Sequence, residues 1–142
     1  MKILFAGAFI LLSFLISDHE ALAKTDLETI RAKVVKELMQ SEVDDVEIET
    51  LIQSINEDGT WSDINYKDVS RTGFEHRKHL SNQVKLARAY KKKSSRFYRK
   101  KKIKKTVELA LEHWVDNDYI CDNWWHNQIG TPNALVSLIL II

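Results

Sequence analysis

Residues 103–114, Ile-Lys-Lys-Thr-Val-Glu-Leu-Ala-Leu-Glu-His-Trp, place Ile103, Val107, Ala110, Leu111 and Trp114 at steps of three and four. That spacing gathers the apolar side chains on one face of a 3.6-residue helix. Upstream, Leu80, Val84, Ala87 and Tyr90 repeat it, and a further helix is predicted over Val43 to Ile55 with Val46, Leu51, Ile52 and Ile55 as its apolar residues. Asp58-Gly59 then supplies a turn signal. Further upstream, Thr25-Asp26-Leu27-Glu28 has the form of a capping box and opens a helix carrying Leu27, Ile30, Val34, Val35 and Leu38. Downstream, Thr131-Pro132 reads as an N-cap and first-turn proline before Leu135, Leu138, Ile139 and Ile142. Residues 61–74 follow neither the helical nor the alternating period and are expected to form an ordered loop. The pattern predicts an all-α fold in one domain.

At the N-terminus, Lys2 precedes an apolar run from Ile3 to Leu12, extended by Phe14 to Ile16, with small residues at Ala21-Leu22-Ala23. This reads as an export signal over residues 1–23, cleaved before Lys24, with the folded domain over 24–142. The run falls short of the roughly 20 residues of a spanning helix, so no stable membrane anchor is expected. An export signal points to a secreted or periplasmic protein. The last residues, Leu138 to Ile142, end without a glycine, a basic turn or a polar tail. The expectation is therefore a helical unit that continues into further helices in the natural protein. With a formal net charge of +1, any preference for anions must come from local clustering. Cys121 is alone, which excludes an intrachain disulfide, and it reads as a buried small side chain.

The densest cluster of chemically capable residues is Asn123-Trp124-Trp125-His126-Asn127, downstream of Trp114. Adjacent tryptophans on a helix or strand point to different faces. One reading is a sugar platform, in which an indole face takes the apolar side of a pyranose while Asn and His bond its hydroxyls or carboxylate. The other is one core and one surface tryptophan in a helix connection, and the residues alone leave both open. His113, Asp116, Asp118, Cys121, Asp122 and His126 lack a metal-ligand spacing, so neither metal nor cofactor is expected. From Lys91 to Lys105 ten basic residues occur with no acidic one. Such a run is either a solvated connection or a surface for a polyanion, and in an exported protein acidic polysaccharide is a better partner than nucleic acid. His76 and His79 have no nucleophile motif nearby and read as capping or packing residues.

These residues resemble the N-terminal helical domain of polysaccharide lyase family 8, which includes chondroitin AC, hyaluronate and xanthan lyases. The resemblance rests on Asp58-Gly59-Thr60-Trp61-Ser62-Asp63-Ile64, then Tyr66, Asp68 and Arg71, His79-Leu80, and Leu86-Ala87-Arg88-Ala89-Tyr90. Ala110-Leu111 with Trp114, Asn123-Trp124-Trp125-His126-Asn127, Ile129-Gly130-Thr131-Pro132 and Ala134-Leu135 complete it, and it extends to Leu140. It implies an incomplete (α/α) toroid of paired antiparallel helices, followed in the full-length protein by β-sandwich domains. It also implies that Trp124 and Trp125 belong to an aromatic patch that positions a glycosaminoglycan-like chain, with Asn123 beside them. The family's reaction is β-elimination at a uronate. Its catalytic Asn, His, Tyr, Arg and Glu lie past Ile142, so no catalytic residue is assigned here and the chain by itself is expected to be inactive. Phe74 stands where the family usually has Trp. The alternative is a freestanding, non-catalytic helical carbohydrate-binding protein.

Overall fold

The computed structural model describes residues 25–142, so the export signal expected over residues 1–23 lies outside the described residues. Residues 25–38 form α1. Thr25 is itself helical there, whereas the capping box would hold it just outside the first turn. Leu27 and Ile30 are exposed.

Helix α2, Asp45–Ser54, starts two residues later than expected because Asp44 caps it, and it ends one residue earlier, with Ile55 as C-cap. The Asp44 carboxylate accepts from the backbone N–H of Val46 and of Glu47 at 2.9 and 3.1 Å, satisfying two otherwise free donors. The buried face belongs to Ile48 and Leu51, while Val46, assigned to the apolar stripe from sequence, is exposed. Two residues before Ile48, at about 100° per residue, Val46 is turned to the far side of the helix.

Helices α3, His76–Lys91, and α4, Lys101–Asn117, pack along each other. His79 lies against Ala110 and Trp114, whereas Ala87 and Tyr90 lie beside Lys104 and Val107. The positions rise in one helix as they fall in the other, so the pair is antiparallel. Helix α5, Thr131–Ile141, packs on α3 in the same sense as α3 runs, with Arg77 and Leu80 near Trp125 and Thr131 and with Lys91 reaching the Ile142 carbonyl. Ile48, Trp61, Leu86, Ala87, Ile103, Val107, Ala110 and Leu138 form the core between these helices. On α5, Leu138 and Ile141 face inward, and Val136, Ile139 and Ile142 leave an apolar strip exposed.

Thr131 is not an N-cap. Residues 124 and 125 are already helical, His126–Gly130 form a π-helical turn, and α5 continues directly from it. In an unbroken α-helix the Pro132 ring would collide with the Gln128 carbonyl, four residues back. The π turn widens the backbone at that point, with the Thr131 N–H bonding to the His126 carbonyl five residues earlier. Proline therefore marks a register change inside a helix and not its start. Among the described residues, no helix is long and apolar enough to cross a membrane.

The loop over residues 61–74 is ordered, as expected, and a buried polar chain is the reason. Trp61, 1% exposed, donates its indole N–H to the Leu51 carbonyl at 3.0 Å. Its backbone N–H donates to the Tyr66 hydroxyl, which lies 2.8 Å from His79 Nδ1. The other ring nitrogen of His79 is 2.8 Å from the Ala110 carbonyl. A carbonyl only accepts, so Nε2 carries a proton; burial disfavours a second one, so the ring is neutral and Nδ1 accepts from Tyr66. At the preceding corner, Gly59 has φ +84°, and a Cβ there would come within 2.5 Å of the Leu109 carbonyl oxygen, so the turn needs glycine for both space and backbone sign.

Burial holds the His79 pKa at about 4, below its ordinary 6.5. Between those values the unfolded chain binds a proton that the folded chain excludes. The stabilisation is complete above pH 6.5 and is lost as the pH falls toward 4. Urea unfolding is expected to show a loss of up to about 3 kcal/mol from this group between pH 7 and pH 4. His79→Gln, which can still donate to the Ala110 carbonyl but cannot become charged, should flatten that part of the profile.

Candidate functional site

The irregular segment and α4 together build a shelf for residues 121–127. Helix α4 ends at Asp118, whose left-handed backbone (φ 43°) turns the chain back toward the 61–74 loop. There the Asp122 N–H donates to the Val69 carbonyl at 2.9 Å, and the Asn123 side-chain amide donates to the Arg71 carbonyl at 3.0 Å. Asn123 also caps the next helical turn, its Oδ1 accepting from the Trp125 N–H at 3.0 Å.

Asn127 closes the shelf. Its Nδ2 donates to the Cys121 carbonyl at 2.8 Å and its Oδ1 accepts from the Cys121 N–H at 3.1 Å, a reciprocal pair that ties the loop to the π turn. Cys121 is buried, as expected, among Phe74, Leu80 and Trp114. The two asparagines predicted to meet a ligand thus have their amides engaged within the chain.

Both indoles are out of the core. Trp124 is 58% and Trp125 47% exposed, so the pair is not divided into one core and one surface tryptophan, and the buried tryptophan of this region is Trp114. The two are not equivalent. Trp125 lines an open groove of about 290 Å³ with His126, Arg77, Leu80 and Thr131, and Trp124 does not contribute to it. The Trp125 ring lies over Gly130, where a Cβ would approach it to 2.8 Å, so the glycine is what lets the indole lie down along the helix. His126 is half-buried, edge-on to Trp125 at 5.3 Å between centroids and 5.3 Å from Phe74. Phe74, at the position expected to carry Trp, is buried and stacked on His76 at 4.7 Å, so it acts as a floor beneath His126.

Arg77 was not singled out from sequence. It is exposed at the groove with no carboxylate within 4 Å among the described residues. Nothing in the sequence distinguishes it from Lys78; its place one turn before Leu80 on the α3 face beside Trp125 does. The groove therefore combines an aromatic face, an imidazole and an unpaired guanidinium, an arrangement suited to a ring with an apolar face and an anionic substituent. Beneath it lies a cluster of Tyr66, His76, His79, His113 and Tyr119. Burial pushes the Tyr66 hydroxyl up to about 12 and raises Tyr119, so both stay protonated donors. His76 and His79 are both fully buried, as packing residues were expected to be. Among the described residues, no group of three or more His, Cys, Asp or Glu side chains is placed to hold a metal ion.

Residues 17–142 match polysaccharide lyase family 8, N-terminal alpha-helical domain. The chain belongs to polysaccharide lyase family 8. Chondroitinase-AC of Pedobacter heparinus is 33% identical over 91 residues, which cover 64% of this chain and 13% of that protein. A solved chondroitinase AC lyase, studied as enzyme–oligosaccharide complexes, superimposes with a TM-score of 0.72 at 30% identity over 78% of this chain and 17% of its own. The helices of this family 8 domain are accordingly part of an (α/α) toroid of paired antiparallel helices, as the family resemblance implied, and the chain spans less than a fifth of the length of these relatives. The family match starts at residue 17, inside the predicted export signal.

Asn127→Ala removes both bonds to the Cys121 backbone. The expected result is faster amide hydrogen exchange across residues 119–124 and a loss of about 1–3 kcal/mol in urea unfolding, with α2 and the start of α4 unaffected in exchange.

Proposed function

We propose that residues 24–142 are the N-terminal, polymer-gripping portion of a secreted polysaccharide lyase acting by β-elimination on a uronate-containing chain of the chondroitin or hyaluronan type. The observation that carries this reading is the exposed Trp125 indole lying along a groove with His126 and the unpaired Arg77, in a family 8 chain. An indole face buries the C–H side of a sugar ring, and a guanidinium can take a uronate or sulfate bidentately. His126 supplies a hydrogen-bonding nitrogen at the same edge. Asn123 and Asn127 act by framing the shelf. Trp124, on the outer side, extends the aromatic surface to a neighbouring sugar.

Elimination requires removal of the proton beside the uronate carboxylate and protonation of the leaving oxygen. We assign neither step to this chain. Its part is to fix the polymer, and holding the substrate in register is itself a large share of such a barrier. The exposed strip of Val136, Ile139 and Ile142 on α5 supports a longer parent protein, because an apolar face of this kind is covered in a helical toroid by the next helix. Export rests on the apolar run within residues 1–23.

Titration of the intrinsic tryptophan fluorescence with a chondroitin tetrasaccharide is expected to saturate. Trp125→Ala should weaken binding roughly tenfold or more, equivalent to about 1.4 kcal/mol, and Trp124→Ala should weaken it less. Unchanged affinity in the double variant, followed by calorimetry, would remove the groove from the mechanism. The isolated chain should generate no unsaturated-uronate absorbance from chondroitin; turnover would refute the division of labour.

A further inference from the structure

The basic run over residues 91–105 is only partly neutralised by the fold. Lys92 pairs with Glu42, Arg96 with Asp45 and Glu49, and Lys104 with Glu108. Lys93, Arg99, Lys100, Lys101, Lys102 and Lys105 are all exposed with no carboxylate within 4 Å among the described residues. The unpaired set is concentrated where α4 begins. Lys101, Lys102 and Lys105 are helical neighbours at steps of three and four, and the first turn holds no acid and no side-chain cap. Cations at that end are repelled by the helix dipole and by one another, an arrangement that a bound anion relieves. Beside them is an open groove of about 370 Å³ over Phe97 and Ile103, walled by Lys100 and Lys102 and, on its other side, by Glu49, whose carboxylate Arg96 neutralises.

The corner is held in place. Arg99 adopts a left-handed backbone (φ 54°) and donates its N–H to the Tyr90 carbonyl at 2.9 Å. The two aromatic residues of the run are not available for stacking. Phe97 is buried beneath the Arg96 guanidinium at 4.7 Å, and Tyr98 is half-buried with the Arg99 guanidinium over its ring at 5.3 Å. Single-stranded nucleic acid is gripped by bases stacked on open aromatic rings, which this surface lacks. It offers mobile ammonium groups instead, suited to carboxylates and sulfates spaced along a flexible polymer.

We infer that the corner formed by Lys100, Lys101, Lys102 and Lys105 is a second contact surface for an acidic polysaccharide, electrostatic in nature and separate from the tryptophan groove. The two lie at opposite ends of α3: Arg77 and Leu80 at one, Lys91 at the other, on the order of 20 Å apart. The choice of polysaccharide as the polyanion rests on the function proposed above; the existence of an anion surface does not.

The test compares the wild-type chain, the quadruple variant Lys100→Gln, Lys101→Gln, Lys102→Gln, Lys105→Gln, and the double variant Trp124→Ala, Trp125→Ala, against polymeric chondroitin sulfate and a chondroitin tetrasaccharide at 50–200 mM salt. All four lysines are exposed, so the quadruple variant should keep the wild-type circular dichroism. It is expected to bind polymer roughly tenfold more weakly at low salt, with a shallower dependence of log affinity on log salt, while tetrasaccharide binding is unchanged. Wild-type polymer affinity and salt slope in that variant would overturn the inference, as would an absence of polymer binding by the wild type. Tighter binding of a single-stranded RNA of matched charge, lost in the quadruple variant, would overturn the polysaccharide assignment. Lysine-dependent polymer binding with no tetrasaccharide binding would leave this surface standing and remove the tryptophan groove.

Discussion

The proton on His79 Nε2 organises this domain. Because it is committed to the Ala110 carbonyl and burial keeps the ring neutral, the opposite nitrogen accepts, and it accepts from the Tyr66 hydroxyl, which in turn receives the Trp61 N–H. An irregular segment is thereby bolted to the interface of α3 and α4 through the buried Trp61 and His79 and the half-buried Tyr66. Hydrogen bonds in such surroundings are strong when complete and costly when broken, so the chain of bonds behaves as a unit. Once that segment is fixed, its carbonyls at Val69 and Arg71 become rigid acceptors for Asp122 and Asn123. The shelf that carries the tryptophans is held from below by a loop and not by another helix.

Above the shelf, the helix from residue 124 to Ile141 solves a conflict between proline and hydrogen bonding. The π turn at His126–Gly130 accommodates Pro132 and at the same time changes the angular register, so that Trp125 and His126 face the groove while Leu138 and Ile141 still reach the core. A regular helix could satisfy one of these demands but would rotate the other away. Gly130 completes the arrangement by leaving room for the indole.

Charge is divided between two ends of α3. At one end a single guanidinium, Arg77, sits beside an aromatic face, an arrangement that can discriminate ring orientation. At the other, several unpaired lysines form a surface that can respond to charge density and little else. A formal net charge of +1 conceals this, because the acidic residues that balance the lysines, such as Asp58 and Asp68, are engaged elsewhere, each holding a turn through Thr60 or Ser70 with its pKa lowered by those bonds.

The helices were legible because their packing repeats at 3.6 residues, and the period survives in the order of apolar residues: α3 and α4 run through Leu80–Tyr90 and Ile103–Trp114 as read, and α5 runs through Leu135 to Ile141 with Ile142, the last residue of the pattern, as its C-cap. The family was legible because tryptophans, asparagine, glycine and proline in a fixed order are improbable by chance. Tertiary structure alone decided which residues of those motifs face outward. Adjacent Trp124 and Trp125 carry no label for the side they take; that depends on where the π turn puts the register, and Thr131-Pro132, which looks locally like a helix start, gave no sign of a helix already under way. It also decided that Asn123 and Asn127 hold the shelf, that Ile48 and not Val46 is buried, and that Arg77 stands at the groove, since each depends on contacts between residues up to about fifty positions apart, which a local period does not record.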